Sequence, residues 1–231
     1  AKTLEKCLMP FLMTLGAVMF LLIKQPNTGS MAVIVAASFA VYFVAGAPFV
    51  WLAGVGAAGT GLIWLLVKLT PYRAARFMTF LHPELDTQGI GYHINQAFVG
   101  IGSGGWFGLG LGHSRQKFQY LPEVHADSIF AVMAEEMGLV FIFLFLGIIL
   151  AASLRSLVIA KQSPDLFGRL VVGGIMLWFT AQTWMNIGAM IGLLPLTGIP
   201  LPLVSHGGTA LMMNLAAIGL VLNISKYRKT L

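Results

Sequence analysis

A chain of 231 residues that is 58% hydrophobic and 10% charged, with a mean hydropathy of +0.86, is far from a soluble domain, where about 25% of residues are charged. That composition excludes an ordinary water-soluble globule and makes a membrane protein the first reading. The formal charge of +6 reads as anchoring at a membrane face and not as nucleic-acid binding, since no RNA- or DNA-binding pattern and no spaced Cys/His cluster accompanies it.

The chain opens AKTLEK, with no initiator Met and no cleavable signal peptide, as expected of a processed start or of a fragment. Its single cysteine, Cys7, allows no internal disulfide and reads as a packing residue. A spanning helix needs roughly 20 mostly apolar residues. The first such runs cover 8–24, 31–46 and 49–69. They are continuous and not alternating, which predicts helices and not barrel strands. GVGAAGTG at 54–61 places small residues at helical spacing, which predicts close helix packing there.

Residues 70–128 are too many for an ordinary connection, and long segments of this kind are commonly functional. Arg73 and Arg76 come first, three apart and so on one face of a helix. They read either as side chains snorkelling at the interface or as a site for phosphate or another anion. Next, apolar residues at 90, 94, 97, 98 and 101 follow helical spacing with a polar opposite face, compatible with a helix lying in the interface. GSGGWFGLGLG follows. It lacks the GK[ST] ending of a nucleotide loop, and a tight re-entrant turn built from small residues is the expectation.

HSRQKFQYLPEVHADSIF, 113–130, then concentrates Arg115, Lys117, Glu123, His125 and Asp127 in a chain that has few charges. Pro122, Glu123 and Asp127 near a helix start fit helix-initiation chemistry, with Asp127 as N-cap or dipole partner. Glu135 falls roughly 12 Å further along that helix. Carboxylates so deep are expensive unless paired or in a wet cavity, so Glu135 and Glu136 are expected to pair with Arg or Lys from another helix. The remaining apolar runs are 129–154, 170–192 and 208–225. Between the last two, LLPLTGIPLPLVSHG (193–207) is apolar but carries Pro195, Pro200 and Pro202. It is therefore expected to be irregular backbone forming a cavity wall, ending at Ser205 and His206. The scattered histidines, His82, His93, His113, His125 and His206, read as hydrogen-bonding surface groups.

Counting spans puts Lys2, Lys6, Arg155, Lys161, Arg169, Lys226, Arg228 and Lys229 on one face, and Lys24, Lys68, Arg73, Arg76, Arg115 and Lys117 on the other. The more basic face reads as cytoplasmic. The predicted fold is all-α: a polytopic transmembrane helix bundle in a single membrane domain over 1–231. A long extracytoplasmic segment, 70–128, lies between the third and fourth spans, and 193–207 forms a re-entrant-like loop. No internal repeat of the kind seen in solute transporters is evident.

Four blocks, KQPNTGS (24–30), YRAARFMTFLHPELDTQGIGYHINQAFVGIGSGGWFGLGLG (72–112), HSRQKFQYLPEVHADSIFAVMAEEMG (113–138) and LPLTGIPLPLVSHGGTALMMNLAAIGLVLNIS (194–225), together resemble the SEDS family, the FtsW/RodA/SpoVE group of shape, elongation, division and sporulation proteins. The LPE-x-H-x-D and TG-x-PLPL-x-S-x-GG patterns are the specific ones. The SRQKF-x-YLPE wording is nearer the division and sporulation members. The resemblance implies a peptidoglycan glycosyltransferase of the bacterial cytoplasmic membrane. Such an enzyme is an inverting lipid II polymerase at the outer face with a polyprenyl diphosphate leaving group, and it works with a class B penicillin-binding protein and other divisome or elongasome proteins.

The family's essential outer-loop Asp maps to Asp127, expected to be a general base or the anchor of a divalent cation, Mg or Mn. Such a transfer needs a base for the acceptor hydroxyl and positive charge for the departing diphosphate. The expected substrate contacts are Arg73, Arg76, Gln96, Arg115, Lys117, His125, Ser205 and His206. Where the family has QPDLGT, HTDFIF and ISYGGS, this chain has QPNTGS, HADSIF and VSHGGT. The family's upstream QPSE-x-x-K block is absent, and the chain resembles about the last six of the family's spans. This implies a truncated chain or one that acts with a missing half. A lipid II flippase and a non-catalytic scaffold for a penicillin-binding protein are the alternatives.

Overall fold

The computed structural model describes residues 8–25, 27–82, 86, 88–118, 121 and 126–227. Several side chains between 52 and 73, Arg73 among them, lie outside that description, as do Cys7, Pro122, Glu123 and His125. The fold is all-α, with no strand among the described residues. Its helices are α1 (Met9–Lys24), α2 (Thr28–Val44), α3 (Phe49–Leu69), α4 (Pro71–Leu81), α5 (Ile90–Ser103), α6 (Ile129–Gln162), α7 (Leu166–Met190) and α8 (Gly208–Ser225). By length and composition α6, α7 and α8 can each cross a membrane, while Met9–Lys24, Thr28–Val44 and Phe49–Gly61 are shorter apolar stretches. Six apolar helices thus lie over the six apolar runs, with α2 starting earlier, α6 running later and α7 shifted toward the N-terminus. The chain is a multi-pass membrane protein.

Cα packing divides the chain into two compact units. The first comprises residues 1–65, 153–181 and 215–231. Here Phe11 stacks on Tyr42 at 4.3 Å between ring centroids, within a cluster completed by Leu8, Ala47, Leu12, Trp51 and Val55. Asn27 caps α2, its side chain accepting from Ser30 N at 3.1 Å, as Asn does at helix starts. A second cluster joins Ile159, Ala160, Val172 and Val221. A Cβ added at Gly54, Gly56, Gly59 or Gly61 would meet nothing within 4 Å. The close helix packing expected at 54–61 is therefore absent among the described residues.

The second unit, residues 66–152 and 182–214, holds the charged segment. Its core is built from Ile94, Ala97, Leu121, Phe130, Ala131, Ala134, Ile187, Met190, Leu196 and Leu201. The expected extracytoplasmic segment contains α4 and α5, the second over the positions whose spacing predicts a helix. Asp86 caps α5 by accepting from Gly89 N and Ile90 N, each at 2.8 Å, and the Gly89 bond holds its carboxyl below the ordinary range. The face α5 buries is Gly91, Ile94, Ala97 and Gly100, while Phe98 stays exposed. Of the apolar stripe only Ile94 and Ala97 are fully buried, and the packing is tightest at Gly100, where a Cβ would stand 3.1 Å from Gln116 Cγ. One face of the helix thus packs on protein.

Candidate functional site

The site is built where three stretches of the second unit meet: the turn before α6, the start of α5, and the proline-rich wall after α7. Asp127 lies in the turn, with Ser128 between it and the first residue of α6. It therefore stands just outside the positive end of the helix, one residue further out than an N-cap. Ser128 is fully buried. Its hydroxyl donates to Asp127 Oδ1 at 3.2 Å, and its oxygen lies 2.6 Å from His93 Nε2 on α5. With the hydroxyl proton given to Asp127, Ser128 accepts from the Nε2–H tautomer of His93. His93, Ser128 and Asp127 thus form a hydrogen-bonded file.

Opposite the carboxylate runs the wall. Gly198 has φ +68°, which glycine adopts without strain, and a Cβ there would sit in ordinary contact with Asp127 Oδ2, at 3.7 Å. Residues 193–207 form no regular helix, as the prolines dictate. Backbone without a helix's own hydrogen bonds needs other partners, and side chains supply them. Gln182 Nε2 donates to Pro200 O at 2.8 Å. Asn186 Nδ2 donates to Ile199 O and to Asp127 O, each at 2.7 Å. Arg76 Nη1 donates to Leu196 O at 3.2 Å, and Leu201 N donates to Ser205 Oγ at 2.6 Å. Beyond the wall a hollow of about 400 Å³ is lined by Ile129, Leu203, Val204, Ser205, His206 and Leu211.

The glycine-rich run has a different purpose from a phosphate cradle. Helix α6 breaks at Gly138, φ 76° and ψ 176°, which leaves the carbonyls of Glu135 and Glu136 without their helical donors. Leu109 N and Gly110 N donate to them at 2.9 and 3.0 Å, while Leu139 N and Val140 N donate to Gly105 O and Trp106 O. The loop is stitched into the helix break. Gly104 and Gly108 press on the backbone of residues 134–137 so closely that no Cβ fits.

The two glutamates beside the break fix the next stretch. Glu135 is 1% exposed and receives Ser114 Oγ–H, Arg115 N–H and Gln116 N–H. Glu136 receives Ser114 N–H and the Lys117 ammonium, the latter at 2.9 Å. The expectation of an Arg or Lys from another helix is corrected in two ways. The cation on Glu136 comes from the loop, and Glu135 is neutralised by N–H and O–H dipoles, which a carboxylate accepts readily.

Of the expected substrate contacts, Arg76 and Ser205 are tied to the wall, Arg76 at Leu196 O and Ser205 at Leu201 N. His206 is exposed at the hollow. Gln96 is half-buried one turn beyond His93 on α5. Arg115 is anchored through its backbone while its side chain is exposed. Lys117 is engaged with Glu136 and with Gly112 O. The side chain of Arg73 and all of His125 lie outside the described residues. Sequence reasoning passed over Ser128, Gln182 and Asn186 and read His93 as a surface group. For the last three the available signal was polarity inside apolar helical runs, where buried polar groups demand partners. No group of three or more His, Cys, Asp and Glu converges among the described residues.

The model of the FtsW/RodA/SpoVE family, described as cell cycle proteins, matches residues 1–230. Stage V sporulation protein E of Bacillus subtilis is 41% identical over 225 residues, covering 95% of this chain and 61% of that protein. Peptidoglycan glycosyltransferase MrdB of Escherichia coli is also 41% identical, over 217 residues, covering 91% of this chain and 58% of that protein. A chain from a peptidoglycan synthase complex that coordinates polymerization and crosslinking superposes with a TM-score of 0.76 at 29% identity, covering 98% of this chain and 62% of that chain. The chain thus spans about three-fifths of the length of these relatives. Since the family match runs over nearly every residue, including the turn, the wall and the stitched loop of the site, the chain belongs to the FtsW/RodA/SpoVE family of cell cycle proteins.

Proposed function

We propose that this chain carries the catalytic centre of a peptidoglycan glycosyltransferase that polymerises lipid II at the outer face of the bacterial cytoplasmic membrane. The observation that carries the reading is the Asp127 carboxylate, held at the start of α6 against the Gly198 backbone in a chain of this family. Asp127 takes the proton from the acceptor sugar hydroxyl. The acceptor oxygen bonds to the anomeric carbon of the donor, and the bond from that carbon to the diphosphate oxygen breaks. The diphosphate leaves with the electron pair on its lipid, and the anomeric centre inverts. Diphosphate is a good leaving group, so one base and nearby positive charge suffice, unlike a glycosidase with its two carboxylates.

Arg115, with its side chain exposed, and Arg76, beside the wall, are the cations best situated for the diphosphate. Lys117, held by Glu136, serves the loop instead. As the alternative to a base, the Asp127 carboxylate is a hard oxygen donor of the kind a Mg or Mn ion takes. Asp127 is the residue that would hold it, and the ion would offset the charge of the leaving group. A class B penicillin-binding protein is the partner this reading calls for, supported by the likeness to a chain of a peptidoglycan synthase complex.

The test is polymerisation of lipid II by the intact purified protein with its partner. Asp127→Asn keeps shape and removes the base, and is expected to lower the rate by about 100-fold or more. Polymerisation at the parental rate would overturn the assignment.

A further inference from the structure

We infer that Asn186 is a positioning residue for Asp127, an inference that rests on the proposed role of Asp127 as the base. Asn186 is 2% exposed, and its one amide nitrogen spends both protons on two carbonyls from different parts of the chain. One is Asp127 O and the other Ile199 O, each at 2.7 Å. These distances lie at the short end for N–H···O bonds. The first carbonyl belongs to the residue bearing the carboxylate. The second belongs to the wall residue next to Gly198, whose backbone the same carboxylate faces. A single side chain on α7 therefore fixes the spacing between the acid and the surface opposite it.

The residue type is demanded by the geometry. A carboxylate at 186 would turn an acceptor toward two carbonyl oxygens, and an aliphatic residue would take this donor from both. A hydroxyl has one proton for two acceptors. Gln182, one turn earlier on α7, holds the wall at Pro200 O, 2.8 Å away, which makes it a comparator for the loss of a wall contact. An acid misplaced by about 1 Å loses on the order of 100-fold in rate, so a clamp of this kind acts on turnover and not on substrate affinity.

The experiment uses the intact protein in nanodiscs with its partner. Asn186→Leu and Asn186→Ser are compared with Gln182→Leu by hydrogen–deuterium exchange and by steady-state polymerisation of lipid II. Both Asn186 variants are expected to speed exchange in residues 126–131 and 196–201 together, and to speed it in 126–131 more than Gln182→Leu does. Turnover of the Asn186 variants is expected to fall at least tenfold with KM within twofold of the parent. Exchange rising in only one segment would overturn the clamp. Exchange rising in both with turnover retained would overturn its role in positioning, as would a loss expressed in KM. Asp127→Asn run alongside separates these outcomes from failure of the base itself: if that variant is fully active the proposed chemistry falls, while the exchange result still decides whether the clamp exists.

Discussion

Glu135 and Glu136 are neighbours on α6 with the same functional group, and they are satisfied in different ways. Glu136 pairs with a partly exposed ammonium, with side-chain exposures of 24% for Lys117 and 13% for Glu136. Ion pairs near water contribute little. Glu135 is buried and receives two backbone N–H groups and a hydroxyl, each a charge-assisted bond with no water to replace it. Removing the charge at 135 therefore matters more than removing the cation at 117. Glu135→Gln sets an amide NH₂ among donors and is expected to cost about 2–3 kcal/mol. Lys117→Met is expected to cost about 1 kcal/mol, because Glu136 keeps Ser114 N–H and some water. Thermal unfolding of the two variants in the same detergent ranks them, and a larger drop for Lys117→Met would show that the loop is held by the ion pair.

The elements were legible to different depths. Apolar runs announce helices because a lipid environment tolerates little else, and the prolines at 195, 200 and 202 announce that 193–207 is not one of them. What satisfies that irregular backbone was not legible. Its donors come from Gln182 and Asn186 on α7 and from Arg76, 120 residues from its partner. A linear pattern holds no record of such pairings. The break in α6 was equally hidden, since a lone glycine in an apolar run reads as a tolerated helix residue. Gly138 is in fact a joint. Its φ and ψ fall where only glycine is comfortable, at about 1–3 kcal/mol for any other residue. A Cβ there would also run into the backbone of Trp106, Phe107 and Gly108. Gly138→Ala is expected to cost more than about 3 kcal/mol, strain and clash together, and to unstitch the glycine-rich loop. Gly147, in the same helix with nothing within 4 Å of an added Cβ, is the control. Gly147→Ala is expected to be neutral or to stabilise by up to about 1 kcal/mol. The yield and melting temperature of monodisperse protein check both, and equal behaviour of the two variants would mean that the joint is not rigid.

At the scale of the molecule, the chemistry depends on which side of the membrane the turn of Asp127 faces, because lipid II must meet it there. The sequence argues for sidedness only through eight basic residues against six, a modest bias under the positive-inside rule. The structure adds points that can be probed from outside. Arg115, in the stretch tied to Glu135, and Asp165, in the turn between α6 and α7, both have exposed side chains. In the chain they flank the unbroken part of α6 after Gly138, residues 139–162, which at about 1.5 Å per residue is long enough to cross the roughly 30 Å hydrocarbon core. Cys7, and any other cysteine of the intact protein, is replaced by serine to give a silent background. In intact cells a membrane-impermeant maleimide is then expected to label Arg115→Cys and to spare Asp165→Cys, with the second site reacting only after the membrane is opened. The reverse pattern would place Asp127 on the cytoplasmic side, where it could not act on a growing glycan strand. The glycosyltransferase reading would then fail even though every hydrogen bond around the turn remained as described.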